Sequence, residues 1–237
     1  AKIWDIRGYY FLSSRPNLEG ELAQWASLPE ELKEQLKEWL LGMCGNASDE
    51  TEASCNFSFD QFAANGDLFK YYKWYLRNSK KMYEANFKIE SPRDDIYWDS
   101  EKNAFISLLR NDSRTDITDA LKLNVERAWQ GKDWHLELKF TPDAAVHINF
   151  QPGSTPYVMG DLINLDPTSP LTEKYTQVAF KHEYGHILGF PDCYVEFYDK
   201  KNQVMVIYTI DLTNIMCAQT GQVQQLHFDE LRRVYSK

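Results

Sequence analysis

Two histidines separated by three residues, His182 and His186, are the feature that most limits what this chain can form. On an α-helix, residues four apart lie just past one turn from each other, so both imidazoles leave the same face. Two imidazoles in this arrangement are typical zinc ligands. Glu183 follows the first histidine, where its carboxylate can contact a metal-bound water without binding the metal. The spacing therefore predicts one zinc ion with Glu183 as general base.

The residues after His186 predict an abrupt end to this helix. Gly189 can adopt the left-handed conformation that terminates a helix, and Pro191 then prevents the helix from resuming. The chain has to turn back sharply, and Asp192 lies at that turn. We therefore expect Asp192 to be the third protein ligand of the zinc ion.

A second motif, Thr213-Asn214-Ile215-Met216, follows the pattern HExxHxxGxxD formed by residues 182–192. Together they resemble the metzincin zinc proteases, in which HExxHxxGxxH is followed by a turn around a methionine, the Met-turn. Aspartate replaces the third histidine here, and Gly-Phe-Pro-Asp at 189–192 is most similar to the snapalysin-like secreted metalloproteases. The resemblance covers roughly residues 104–237. It implies that Met216 lies under the metal as an apolar floor without binding it.

The predicted order of strands and helices is similar to that of the metzincins. Hydrophobic periodicity and turn residues predict a strand at 104–110, a helix at 116–130, strands at 134–140, 146–150 and 157–165, the metal-binding helix at 169–188, a hairpin of 194–198 and 204–210, and a closing helix at 226–235. The resemblance implies an α+β catalytic domain. Its twisted mixed sheet is backed by helices, and the active-site helix, Met-turn and C-terminal helix follow.

The same resemblance suggests where a peptide substrate binds. An edge strand near the metal, at 160–165, would pair with the extended substrate, so Gly160, Asp161 and Leu162 are expected contacts, and Tyr184 is a further one. A plain core or edge strand is the alternative interpretation. Ala218 stands where some metzincins have a tyrosine that assists the oxyanion, so this chain lacks that tyrosine.

The remaining histidines are interpreted without a metal role. His135 and His147 fall on the polar phases of their strands and are read as surface or rim residues. His227 lies near the start of the closing helix and is interpreted as a capping or surface residue. The metal site is therefore expected to use two of the five histidines.

The first hundred residues lie outside the resemblance and predict a largely helical extension, 1–95, ahead of a protease-like domain, 96–237. The boundary is placed at the polar, proline-containing stretch 91–95. Periodicity within the extension predicts a strand at 1–12, helices at 29–43 and 67–85, and a loop at 44–58. We expect an integral part that packs on the catalytic unit. The alternative is a pro-segment in which Cys44, Cys55 or Asp60 occupies the open zinc position.

Four cysteines form two pairs that are close in sequence, and they predict the disulfides Cys44–Cys55 and Cys193–Cys217. The second disulfide would join the residue after the third ligand to the residue after the Met-turn methionine. Disulfides are typical of secreted or periplasmic proteins, so we expect that location. Free buried thiols are the alternative.

The composition excludes several classes of partner. A net charge of -9 and a pI near 5.1 argue against nucleic acid and anionic membranes, because both favour basic surfaces. No apolar run approaches the roughly 20 residues that a membrane helix needs. The expected partner is a peptide or protein substrate, and the expected state is a monomer.

The resemblance implies peptide-bond hydrolysis without a covalent intermediate. Zinc would activate a water, and Glu183 would move its proton to the leaving amine. Two alternatives remain open: a secreted, non-catalytic binding protein that retains a structural zinc site, and a latent zymogen. The presence of Glu183 argues against a structural site, which needs ligands but no base.

Overall fold

The protein forms two compact units, Ala1–Asn86 and Phe87–Lys237. This computed structural model describes residues 5–47, 50–110, 114–199, 202–209 and 211–236, and the described chain is α+β. The units meet at residue 86, slightly earlier than the predicted boundary at 95. Among the described residues, no helix is long and apolar enough to cross a membrane.

The N-terminal unit is helical throughout its described part. Its helices are α1 Arg7–Ser13, α2 Leu18–Ala23, α3 Glu30–Gly45, α4 Glu52–Ala64 and α5 Leu68–Ala85, with one 3-10 turn at Trp25–Ser27. The predicted helices at 29–43 and 67–85 are confirmed as α3 and α5. Their buried side chains form one core, which includes Leu36, Leu40, Met43, Phe59, Leu68, Tyr71 and Tyr75.

Two predictions in this unit are wrong. The stretch 1–12 is predicted as a strand; its first four residues lie outside the described part of the chain, and from Arg7 onward it is helix α1, in which Gly8 allows close approach to the backbone of Trp39 on α3. The stretch read as a loop contains the start of α4. Thr51 caps that helix, because its hydroxyl accepts the Ser54 N–H at 3.1 Å.

The C-terminal unit combines short sheets with three helices. Its elements are β1 Ile96–Asp99, β2 Ala104–Leu109, α6 Thr115–Ala128, β3 His135–Phe140, β4 His147–Phe150, β5 Tyr157–Met159, β6 Leu162–Leu165, α7 Lys174–Ile187, β7 Tyr194–Asp199, β8 Val204–Thr209 and α8 Gln225–Tyr235. The predicted strands at 104–110, 134–140 and 146–150, the hairpin and the closing helix are all present.

Within the described part of this unit, the strands form two three-stranded sheets and one hairpin rather than a single mixed sheet. In the first sheet, β2 lies between antiparallel β1 and parallel β3. In the second, β6 lies between parallel β4 and antiparallel β5. A backbone hydrogen bond of 2.7 Å from Arg110 to Val146 links the end of β2 to the residue before β4.

Two boundaries in this unit differ from the predictions. The single strand expected at 157–165 is divided by a turn at Gly160, whose φ of 61° is a conformation that glycine adopts easily. Helix α7 begins at Lys174 instead of 169, because the preceding residues form turns and Glu173 is still extended. Helix α7 is therefore shorter than expected, but both His182 and His186 lie on it.

Candidate metal centre

The structure brings the three predicted ligands together. His182 Nε2 lies 3.1 Å from Asp192 Oδ1, and His186 Nε2 lies 3.2 Å from the same oxygen. All three ligand atoms lie within 4.8 Å of one another. The two histidines lie one helical turn apart on α7, and Gly189, with a φ of 98°, ends the helix so that Asp192 returns towards them.

Hydrogen bonds on the far side of each imidazole set the direction of its free nitrogen. His182 Nδ1 lies 3.1 Å from the Ile215 carbonyl oxygen, and His186 Nδ1 lies 2.9 Å from that of Phe190. A carbonyl can only accept, so each Nδ1 donates and each neutral ring presents an unprotonated Nε2. Two lone pairs and a carboxylate oxygen thus converge on one point, which is the arrangement that a metal cation requires.

The electrostatics of the ligands also favour a positive charge at this point. Burial raises the pKa of Asp192, but when no metal is bound a protonated His182 or His186 can donate to its carboxylate from Nε2, and these interactions bring the net pKa well below the ordinary value. Burial lowers the pKa of His186, while Asp192 raises it by more. Two imidazole nitrogens and one carboxylate oxygen are a donor set that suits zinc, with a fourth position left for water.

Glu183 lies beside this centre and has the properties of a proton acceptor. Its side chain is buried, which raises the pKa of its carboxyl group, and the two histidines oppose that rise. The backbone N–H of Val158 on β5 also lowers the pKa of this carboxyl group. A carboxyl group with a raised pKa is better suited to taking up and returning a proton near neutral pH.

The predicted Met-turn, residues 213–216, packs directly against α7. Met216 is fully buried, and a Cβ at position 185 would overlap its sulfur and lie 2.9 Å from the Trp129 ring. Gly185, between the two histidine ligands, is therefore the residue that lets Met216 approach. The disulfide Cys193–Cys217 and a 3.1 Å hydrogen bond from the Cys193 N–H to the Met216 carbonyl hold the Met-turn beside Asp192.

Both predicted disulfides are present, and all four cysteines are paired. Because Cys44 and Cys55 are bonded to each other, neither offers a free thiolate to a metal. Asp60, the carboxylate named for the same role, lies 3.4 Å from Lys37. The cysteine form of the pro-segment interpretation is therefore wrong for this oxidised state.

His227 contributes to the Met-turn in a way that the sequence did not reveal. Its Nδ1 accepts the Gln224 N–H at 2.9 Å, which confirms the capping interpretation, but the ring is fully buried and not at the surface. Its Nε2 lies 3.1 Å from Asn214 Oδ1, which accepts the Met216 N–H at 2.8 Å. Burial lowers the pKa of His227 to about 3, so the ring is neutral and donates through Nε2.

A cleft of about 230 Å³ opens next to Glu183 and His182. It is lined by Thr155, Pro156, Tyr175, Val178, Ala179, His182, Glu183, Tyr194, Cys217, Ala218 and Gln219. The Tyr194 ring lies nearly parallel to His182, with 6.3 Å between ring centroids. Sequence analysis missed Tyr175 and Tyr194, although each is one or two residues from a helix start or a ligand.

The expected substrate contacts lie elsewhere. Tyr184 is fully buried and its hydroxyl is 2.8 Å from Ser107 Oγ, so the prediction that it contacts substrate is wrong. Gly160 and Asp161 form the turn between β5 and β6, and the Asp161 carboxylate pairs with Arg93 at 2.7 Å. Leu162 begins β6, which is the middle strand of its sheet, so the edge strands are β4 and β5 instead.

His135 is exposed, and His147 forms a hydrogen bond with the Ala145 carbonyl at 2.9 Å. Because His135 is exposed and His147 is partly exposed, both positions agree with their interpretation as surface or rim residues of their strands.

Comparison with known proteins finds no family model, no curated protein and no solved structure that matches this chain. Inferences about its chemistry therefore depend on the geometry of the metal centre and the cleft.

Proposed function

We propose that this protein is a secreted, zinc-dependent endopeptidase of the metzincin type, with aspartate as the third ligand. One observation carries the proposal: two imidazoles whose Nδ1 atoms are held by backbone carbonyls aim their free nitrogens at the Asp192 carboxylate. The three ligand side chains keep exposed fractions of 18%, 21% and 40%, so water has access to the metal position.

The roles of the residues follow from their positions. His182, His186 and Asp192 would hold zinc, which when bound supplies a Lewis acid and lowers the pKa of its water towards about 7. Glu183 accepts the proton of the attacking water and passes it to the leaving amine. The buried environment of Glu183 supports this role, because a carboxylate with a raised pKa takes up a proton more readily.

The free edge of β5 is the best candidate for pairing with an extended substrate. Strand β5 lies at the edge of its sheet and packs against α7, and the Val158 N–H lowers the pKa of Glu183, so we infer that the edge of β5 not paired with β6 faces the proposed base. An extended peptide added along this edge would pass in front of the metal. The adjacent cleft, walled by Tyr175, Val178 and Tyr194, would receive the side chain next to the scissile bond.

The test is the variant Glu183→Gln, assayed with an unfolded protein substrate. The amide has nearly the same size but cannot accept and return a proton, so we expect hydrolysis to fall by at least about 10²–10⁴-fold with zinc retained. Glu173→Gln is the matched control, because this exposed residue precedes the same helix and undergoes the same loss of charge.

Two results would contradict the proposal. Full activity in Glu183→Gln would show that another group is the base. A parent protein that binds zinc but cleaves no member of a broad peptide library would favour the non-catalytic binding protein, unless proteolysis near residues 91–95 produced activity, as expected for a zymogen.

A further inference from the structure

The hairpin formed by β7 and β8 has a face that continues from the cleft and is apolar apart from Glu196 and Thr209. Directly opposed residues in an antiparallel pair lie on the same face, and the register pairs Tyr194 with Thr209 and Tyr198 with Met205. Ile207, two residues from Met205, lies on that face as well. We call Tyr194, Tyr198, Met205 and Ile207 the cleft-side face, because Tyr194 lines the cleft.

Three large side chains of the cleft-side face are mostly in solvent. The exposed fractions are 53% for Tyr198, 58% for Met205 and 61% for Ile207. Within the described residues, β7 and β8 pair only with each other. A two-stranded hairpin is marginally stable by itself, and adjacent exposed apolar side chains of this kind commonly mark a binding surface.

We propose that the cleft-side face binds an extended, apolar segment of an unfolded protein substrate. This segment lies beyond the residue whose side chain enters the cleft next to the scissile bond. This inference rests on the proposed function. Continuity favours the substrate as the occupant, because Tyr194 belongs both to the cleft and to the apolar face. Tyr194 and Tyr198 are four residues apart on one strand, which spans roughly 13 Å, or about four residues of an extended peptide.

The proposal has a consequence for substrate length and composition. A short peptide that fills only the cleft would not reach Met205 or Ile207. A longer unfolded chain would cover Met205 and Ile207 if it carries apolar residues on the side of the scissile bond that enters the cleft. The protein should therefore cleave unfolded, apolar polypeptides more efficiently than short peptides with the same scissile bond.

The experiment compares two substrates that share one cleavage site. One is reduced β-casein, and the other is a fluorogenic hexapeptide copied from the casein bond that the parent protein cleaves. Met205→Glu and Ile207→Glu place a further negative charge among the apolar side chains of the cleft-side face, which already carries Glu196 opposite Ile207. Val204→Glu is the matched control, since Val204 neighbours Met205, is 48% exposed and lies on the opposite face.

We expect Met205→Glu and Ile207→Glu to lower kcat/KM for casein at least fivefold, mainly through KM, and to leave the hexapeptide within twofold of the parent. Val204→Glu should leave both substrates within twofold. Circular dichroism and the zinc content of each variant establish that the fold and the metal centre are intact.

Several results would overturn the inference. Unchanged casein cleavage by Ile207→Glu would do so, as would equal losses on both substrates or an equal loss in Val204→Glu. A parent dimer that Ile207→Glu dissociates in sedimentation experiments would show that a second copy occupies the face. Failure of the parent to cleave either substrate would overturn the proposed function, whereas normal cleavage by the hairpin variants would overturn this inference alone.

Discussion

The two disulfides of this protein close short loops in regions with different tasks. Cys44–Cys55, with a sequence separation of 11, lies inside the apolar core of the N-terminal unit, where the Tyr71 hydroxyl donates to the Cys55 carbonyl at 3.3 Å. Cys193–Cys217, with a separation of 24, joins the neighbour of Asp192 to the neighbour of Met216. The same covalent bond therefore supports packing in one unit and the position of a proposed metal ligand in the other.

Removing each disulfide gives the largest test of this difference. The chain-entropy model predicts a loss of about 3 kcal/mol in unfolding free energy for either loop. We expect the double variant Cys193→Ala/Cys217→Ala also to lose at least tenfold in zinc affinity, because Asp192 is no longer held beside the Met-turn. Cys44→Ala/Cys55→Ala should keep the zinc affinity of the parent. Denaturant titration and competition with a chelating dye measure the two quantities, and equal zinc affinities would contradict the distinction.

A glycine-to-alanine substitution should change the free energy of unfolding in opposite directions in the two units. Gly185→Ala forces the new methyl group into Met216 and Trp129, and we expect the free energy of unfolding to fall by about 1–3 kcal/mol. Gly45→Ala, in the last turn of α3, meets nothing within 4 Å and should gain about 0.5–1 kcal/mol from helix propensity. Denaturant midpoints measure both. A neutral Gly185→Ala would show that the contact between helix and Met-turn is loose.

A smaller effect is expected on stability at low pH. It is confined to the C-terminal unit, because all five histidines lie there. Burial lowers the pKa of His227 to about 3, below its ordinary 6.5. The unfolded chain therefore takes up a proton below pH 6.5 that the folded chain refuses until about pH 3, so stability falls as the pH decreases through that window.

The variant His227→Gln removes the contribution of His227 to the pH dependence of stability. Between pH 7.5 and 5.5, the free energy of unfolding of the parent should fall by roughly 1 kcal/mol more than that of His227→Gln. A chelator is present in both samples so that zinc release does not contribute. Denaturant titrations at the two pH values give the difference. A parallel pH dependence in the two proteins would mean that His227 is not kept neutral by burial.

Sequence reasoning succeeded where the decisive geometry is local. The convergence of His182, His186 and Asp192 follows from one helical turn and a glycine-ended helix, and both disulfides join cysteines close in sequence. The long periodic helices α3 and α5 were predicted for the same reason.

The misses depend on contacts between distant residues or on competing local patterns. The hydrogen bonds from His227 through Asn214 to Met216 join a helix start to a turn, and hydrophobic periodicity in the sequence does not predict such a contact. Tyr184 follows Glu183 on a helix that is buried on more than one side, so adjacency to the base did not imply access to substrate. The stretch 157–165 is apolar throughout, and the turn at Gly160 within it was overlooked.

The central claim is that His182, His186 and Asp192 bind one zinc ion, and a zinc titration of Asp192→Ala against its parent tests it most directly. Asp143→Ala, which removes an exposed carboxylate in a turn of the same unit, is the control. We predict one zinc per chain in the parent and the control, and affinity at least tenfold lower in Asp192→Ala, because two imidazoles alone hold zinc poorly. A parent that binds no zinc, or equal affinity in all three proteins, would contradict the account.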